Sequence, residues 1–310
     1  MALSDQLPYV IVHGGVQKTA TSFIQGRLKR NAGRLKKQGV HYVHHRKTRK
    51  DYTIPCQLNG YDVVGLGYDT VISDAELYEI SKEFFHGIEA TAGERIILSD
   101  ENMPGHSSHC VRKGKLYGFR KPLIPIFANH IPYPVAEVHI AIRNYADFFA
   151  SSYVEFLRSS EGRRHITEAQ MKRGVISVSP NWQKFIGDVR EAFPNSELVV
   201  WRHEDFSDLS QKILQNLCGD AVDVNKFAIP KRGRSRPSAS HRAIKEMLYV
   251  IQRYGPAALI EKRVELQEKY PRSEEYPAYD PWEQSEREHL TRLYDQDVEE
   301  LKSLSAVRFL

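Results

Sequence analysis

An α/β fold, a mainly parallel sheet flanked by helices, follows from three observations. Short apolar runs recur at residues 9–12, 95–99, 138–142 and 197–202, as expected of strands covered on both faces. Between them, apolar residues repeat at helical spacing, as in Trp182, Phe185, Ile186, Val189 and Phe193. Strand then alternates with helix along the chain, the pattern of a parallel sheet with crossover helices.

The first strand, residues 9–12, feeds a turn with Gly14 and Gly15 and then a helix packing through Ala20, Phe23, Ile24 and Leu28. A strand entering a helix this way aims the helix's free N–H groups at one spot, which favours an anion. Lys18 adds a positive charge there, and Thr19, Thr21 and Ser22 add hydroxyls. The spacing departs from two common phosphate binders. A nucleotide-hydrolysing loop needs a glycine directly before its lysine, and Gln17 stands there. Residues 14–18 also fail the dinucleotide fingerprint.

A basic segment follows (Arg27, Lys29, Arg30, Arg34, Lys36 and Lys37), then a second strand over residues 39–43 entered through a glycine helix stop. Residues 44–74 lack a period and are rich in His, Arg, Lys, Gly and Tyr, which predicts an irregular loop beside a binding site. Asp74 is expected to cap a helix running to about residue 89, packing through Leu77, Ile80, Phe84, Phe85 and Ile88. The next strand ends in the acids Asp100 and Glu101, followed by a loop carrying His106. Residues 116–130 read as a helix that Pro122 and Pro125 kink or divide. The strand 138–142 ends at Arg143 and leads into a helix packed through Phe148, Phe149, Ser152, Tyr153 and Phe156.

Arg158, Arg163, Arg164, Lys172 and Arg173 fall in a polar stretch expected to be loop-rich. Residues 197–202 are the last strand predicted. A helix with Leu209, Ile213, Leu214 and Leu217 then stops at Gly219. From about residue 239 to 310 the chain reads as helical, with Ser238 or Ser240 as a cap and helices near 241–251, 257–269 and 285–304. The whole of residues 1–310 is read as one domain.

Composition sets the outer limits. Hydrophobic residues at 41% support a sizeable core, and a formal charge of +5 suits an enzyme for anionic ligands better than a bulk nucleic-acid binder. The three cysteines, Cys56, Cys110 and Cys218, lack metal-ligand spacing and read as reduced, buried thiols of a cytoplasmic protein. No signal-peptide pattern opens the chain, and no apolar run approaches the roughly 20 residues that span a bilayer.

The run Gly15-Val16-Gln17-Lys18-Thr19-Ala20-Thr21-Ser22 closely resembles the 5′-phosphosulfate loop of sulfotransferases: glycine, apolar residue, any residue, Lys, two small residues, Thr, then Ser or Thr. Arg143 at a strand's end, with Ser151 eight residues on, resembles the pair with which that family holds its nucleotide's 3′-phosphate. Asp147 sits at the family's intervening Asp, whereas Tyr145 replaces its usual proline. A guanidinium offers phosphate a planar fork of donors, and a hydroxyl can fill a remaining lone pair.

The resemblance spans roughly residues 9–238. It implies the P-loop-like sulfotransferase fold and sulfuryl transfer from 3′-phosphoadenosine 5′-phosphosulfate (PAPS) to a hydroxyl or amine, leaving 3′-phosphoadenosine 5′-phosphate (PAP), with no metal. It further implies that Lys18 stabilises the leaving phosphate and that Glu101 is the base, with His106 as the alternative. Lys231, Arg232 and Gly233 would stand for the family's basic nucleotide-closing loop, in the order Lys-Arg-Gly instead of Arg-Lys-Gly. The acids after Arg202, Glu204 and Asp205, resemble a structural run after a late strand of that family. A carbohydrate acceptor, suited by an anionic oligosaccharide, follows from the carboxylate base and the extra Arg and Lys. Two rivals stay open: a P-loop kinase or NTPase with a degenerate loop, and a non-catalytic nucleotide- or polysaccharide-binding protein.

Overall fold

The chain begins with β1 (Tyr9–His13), α1 (Thr21–Lys36) and β2 (Val40–Val43), then α2 (His45–Thr48), a π-helical turn (Arg49–Thr53) and α3 (Ile54–Val63). Next come α4 (Asp74–His86), β3 (Arg95–Ser99), α5 (Ser107–Lys113), α6 (Arg120–Asn129) and β4 (Val135–Ile142). They are followed by α7 (Tyr145–Ser159), α8 (Glu168–Val178), α9 (Trp182–Ala192), β5 (Glu197–Arg202) and α10 (Phe206–Cys218). The chain closes with α11 (His241–Tyr254), α12 (Leu259–Lys269), α13 (Gln284–Ser303) and β6 (Val307–Phe309). This computed structural model describes residues 7–159, 165–228 and 239–310.

The strands form one six-stranded sheet in the order β2-β3-β1-β4-β5-β6, and every pairing is parallel. Alternate residues of each strand point to opposite faces, and both faces are covered. Val10, Val12, Leu98, Val138, Ile140 and Val200 belong to the larger apolar core, which α3–α9, α11 and α13 share. Ile11, Ile97, Ala141, Val199 and Trp201 face the smaller core built with Ile24, Leu28 and Leu35 of α1 and Ile213, Leu214 and Leu217 of α10. The α/β class with a parallel sheet is therefore the one expected.

Several elements differ from expectation. Residues 45–63 are not an irregular loop but nearly continuous helix, through α2, the π turn and α3. Gly60 there is a contact point: a Cβ on it would lie 2.7 Å from Leu123 Cδ2 of α6, so the missing side chain lets two helices meet. The cap of α4 is Ser73, in a reciprocal capping box with Glu76, not Asp74. The helix near residue 120 starts only at Arg120, which leaves Pro122 in its first turn, where a proline costs no hydrogen bond. Lys172 and Arg173 lie in α8, not in loop, because Thr167 and Gln170 cap that helix. Ser240 caps α11 through the Ala243 N–H, whereas Ser238 lies outside the described residues. β6 was not expected; it pairs with β5 through Leu198–Val307 to Val200–Phe309. All three cysteines are buried and free. No helix among the described residues is long and apolar enough to cross a membrane.

Candidate active site

From β1 the chain crosses towards β2 on one side, and from β4 it crosses towards β5 on the other. The carboxyl ends of these two neighbouring strands thus meet at the switch point of the sheet, where open α/β sheets bind ligands.

The loop after β1 is built from backbone. A Cβ on Gly14 would meet Met103 Cε at 2.6 Å, and one on Gly15 would meet His13 Nε2 and Thr21 Cγ2 at 3.0 Å. Lys18 and Ala20 take left-handed φ values of 70° and 63°, at a cost of roughly 1–2 kcal/mol each for a residue with a Cβ. Ala20 is the N-cap of α1 yet has no side-chain acceptor, and no acid stands in the first turn. The helix therefore presents its N-terminal N–H groups without a cap, as a waiting anion site would. The Thr19 hydroxyl donates back to the Val16 carbonyl at 2.6 Å and closes the turn. Lys18 Nζ reaches Glu155 Oε2 at 3.4 Å. Thr21 is buried and Ser22 exposed.

Gln17 is a support. Its N–H donates to the Tyr117 hydroxyl at 3.1 Å, and its Oε1 accepts from that hydroxyl. Its Nε2 donates to Asn102 Oδ1 at 2.6 Å and to the Gly105 carbonyl at 3.1 Å. Beneath the loop, His13 Nδ1 pairs with Ser99 Oγ at 2.8 Å, and its Nε2 is buried without a hydrogen-bond partner. Burial pushes His13 down to about 3, helped by His139, so the ring stays neutral.

At the end of β4, Arg143 Nη1 donates to the Lys18 carbonyl oxygen at 2.7 Å, while its Nε is buried with no hydrogen-bond partner among the described residues. Its own carbonyl accepts from Trp182 Nε1 at 2.9 Å, which fixes the backbone there. Asn144 Oδ1 accepts the Ala146 N–H at 2.9 Å, and its backbone N–H donates to Glu204 Oε1 at 2.9 Å. Ser151 lies half-buried on α7. Tyr145, standing where a proline was expected, donates its hydroxyl to Asp297 of α13, and the Trp182 N–H donates to that hydroxyl at 2.7 Å. Asp147 pairs with Arg287 at 3.1 Å.

The end of β3 is built from side chains. Arg49, from the π turn, gives Nε and Nη2 to Asp100 Oδ1 at 3.1 and 2.6 Å, and Nη2 to Glu101 Oε1 at 2.7 Å. Gln25 of α1 donates to Glu101 Oε2 at 3.0 Å and to Ser99 Oγ at 3.3 Å. Burial pushes Glu101 up, but the Arg49 charge and the hydrogen bonds outweigh it and hold the carboxyl below its ordinary value. Burial dominates at Asp100, whose pKa rises despite Arg49. His106 is exposed, and its Nδ1 accepts the Ser108 N–H at 3.2 Å as the cap of α5.

Lys18, Arg143 and, through Gln25, Glu101 thus gather at neighbouring strand ends, while His106 serves a helix terminus. Lys231, Arg232 and Gly233 lie outside the described residues. Sequence reading missed Arg49, Gln25, Tyr117 and Glu155 as members of the site. Arg49 sat in a basic run with no visible partner, since its carboxylates lie 51 and 52 residues away. Gln25, one turn beyond Thr21 on the same helix, was the most findable.

No protein-family model matches the chain, and no curated protein sequence does. Among solved structures it is similar to a sulfotransferase from Alicyclobacillus acidocaldarius, at 14% identity over 83% of this chain and 96% of that one, with a TM-score of 0.40. A likeness of that size carries no functional weight.

Proposed function

We propose that the chain is a sulfotransferase, with PAPS as donor and a hydroxyl or amine of a carbohydrate as acceptor. One observation carries this reading: the Arg143 guanidinium donates to the Lys18 carbonyl at 2.7 Å across the switch point. A cation at the end of one strand is thereby tied to a lysine-bearing anion loop at the end of the next. A nucleotide phosphorylated at both its 3′ and 5′ positions requires that pairing.

The donor fits the groups present. The uncapped start of α1 and Lys18 suit a 5′-phosphosulfate, and the orphaned Arg143 Nε is a donor for a 3′-phosphate. When bound, the donor supplies an activated sulfuryl group. Gly15, Val16, Lys18, Thr19, Ala20, Thr21 and Ser22 form the 5′ cradle, with Gln17 bracing it through Tyr117. Lys18 exchanges Glu155 for phosphate and opposes the charge that grows there. Arg143 and Ser151 hold the 3′ end and set the donor's orientation. Glu101, ionised at neutral pH, takes the acceptor's proton on a carboxylate oxygen.

Calorimetry with PAP and with ATP tests this. Tight binding of PAP alone, weakened in Lys18→Ala and in Arg143→Ala, is expected. Equal affinity for ATP, or magnesium-dependent ATP turnover, overturns it in favour of a nucleotide-hydrolysing enzyme.

A further inference from the structure

Glu101 is over-engaged for a base. One carboxylate oxygen is held by Arg49 Nη2 at 2.7 Å and the other by Gln25 Nε2 at 3.0 Å. A carboxylate whose two oxygens both face strong donors is a poor proton acceptor from an alcohol, because proton transfer must first break those bonds. Arg49, however, is not anchored by Glu101. Two of its three hydrogen bonds go to Asp100 Oδ1, a side chain with no exposure, and only one goes to Glu101. The Arg49 side chain is itself 31% exposed, and its hydrogen bonds to described residues leave from Nε and Nη2, none from Nη1. It projects from a π-helical turn, a local irregularity that recurs at functional sites. A planar cation with a fixed inner edge and an open outer edge is built to bind a second carboxylate or a sulfate.

We propose that Arg49 is a movable clamp that pivots on Asp100: its open edge binds an anionic group of the acceptor, and in doing so it lets go of Glu101. The proposal rests on Glu101 being the base, and it narrows the acceptor class to molecules with a carboxylate or sulfate beside the reacting hydroxyl or amine. Recognition and activation are then one event. An acceptor without the anion leaves Glu101 clamped, and water reaching the site meets a weakened base.

The other groups facing Glu101 do not replace Arg49. They are His13 from β1, Tyr42 from β2, His45 from α2, His106 ahead of α5 and Tyr117 beyond it. Burial lowers His13 to about 3 and His45 to about 4, so both are neutral near pH 7. Burial likewise raises Tyr42 and Tyr117, which stay protonated.

The Glu101 carboxyl can be followed directly by carbon NMR of glutamate-labelled protein, its signal assigned by loss in Glu101→Gln. The protein is held with saturating PAP so that added anions do not report on the phosphate loop. Sodium sulfate, matched in ionic strength by sodium chloride, should raise the Glu101 pKa in the wild type. Arg49→Gln should start about 1 unit or more higher and ignore sulfate. Arg49→Lys, which keeps the charge without the fork, should give an intermediate starting value. A wild-type Glu101 signal indifferent to sulfate, or an Arg49→Gln protein that still responds, overturns the clamp. Failure of PAP to bind counts instead against the sulfotransferase reading, and the sulfate titration can still be read on the unliganded protein.

Discussion

The ends of β1 and β3 lie side by side in the sheet yet are made from opposite materials. Beyond β1 the chain spends no acidic side chain on its helix start, puts two non-glycine residues into left-handed backbone, and leaves α1 uncapped. Beyond β3, Asp100 and Glu101 are met at once by Arg49, Gln25 and the Asn102 N–H. A site for a permanent polyanion can leave donors open, because the ligand satisfies them on arrival. A buried carboxylate must be paired beforehand, because unpaired it would lose its charge, and it can accept a proton only once a partner lets go. Tyr117 joins the two regions, since Gln17 reaches both its hydroxyl and Asn102.

The sharpest test separates chemistry from donor binding. Glu101→Gln keeps the shape of the β3 end but cannot accept a proton, so turnover should fall by about 10²–10⁴-fold while calorimetric affinity for PAP stays unchanged. Equal loss of both would erase the distinction between the two ends. The converse follows on the β1 side. Lys18→Ala and Arg143→Ala should each weaken PAP binding by about 10- to 100-fold, the worth of one charge-assisted contact. Neither should move the NMR signal of Glu101. An unchanged dissociation constant in either variant breaks the β1–β4 assignment.

That contrast also separates what the chain's sequence revealed from what it concealed. The β1 loop was legible because its features are contiguous: glycines, lysine and hydroxyls within residues 14–22 of one strand-turn-helix. Arg143 was legible for the same reason, at the end of an apolar strand. The β3 end was half legible. Glu101 stood out as an acid after a buried run, but Arg49 was hidden inside the basic residues 46–50, and its role depends on a contact 52 residues away. The segment 45–63 was misread because Gly60 and the basic residues suggested an irregular loop, when the glycine serves the packing of α3 on α6. β6, only three residues long and following a charged helix, carries too little pattern to announce a strand.

The bridge between the regions should respond more modestly. In Tyr117→Phe the Gln17 N–H and side-chain oxygen lose a buried partner, which should cost about 1–3 kcal/mol in urea unfolding. PAP affinity should fall only a few-fold, since the loop loses a brace and no ligand contact. Loss of binding as complete as in Lys18→Ala would show that the brace is part of the cradle itself.

The smallest expected effect is a difference in pH dependence, and it comes from the same two regions. His13 lies under the β1 loop with its pKa lowered from 6.5 to about 3 by burial. The unfolded chain therefore binds this proton at higher pH than the folded one, and stability declines as pH falls from about 6.5 towards 3. One such group contributes at most about 1.4 kcal/mol per pH unit. Glu101, lowered from 4.5, acts further down: its stabilisation is complete above 4.5 and is lost as pH drops through the folded value. Urea unfolding between pH 7 and pH 4 should then give a shallower slope for His13→Gln throughout the range below pH 6.5. Glu101→Gln should keep the slope between pH 6.5 and 4.5 and flatten it only below 4.5. His139, His45 and His109 are also lowered by burial, so His13→Gln removes one share of the upper slope and leaves the rest. Identical slopes in the two variants would mean that the β1 and β3 ends titrate as a single unit.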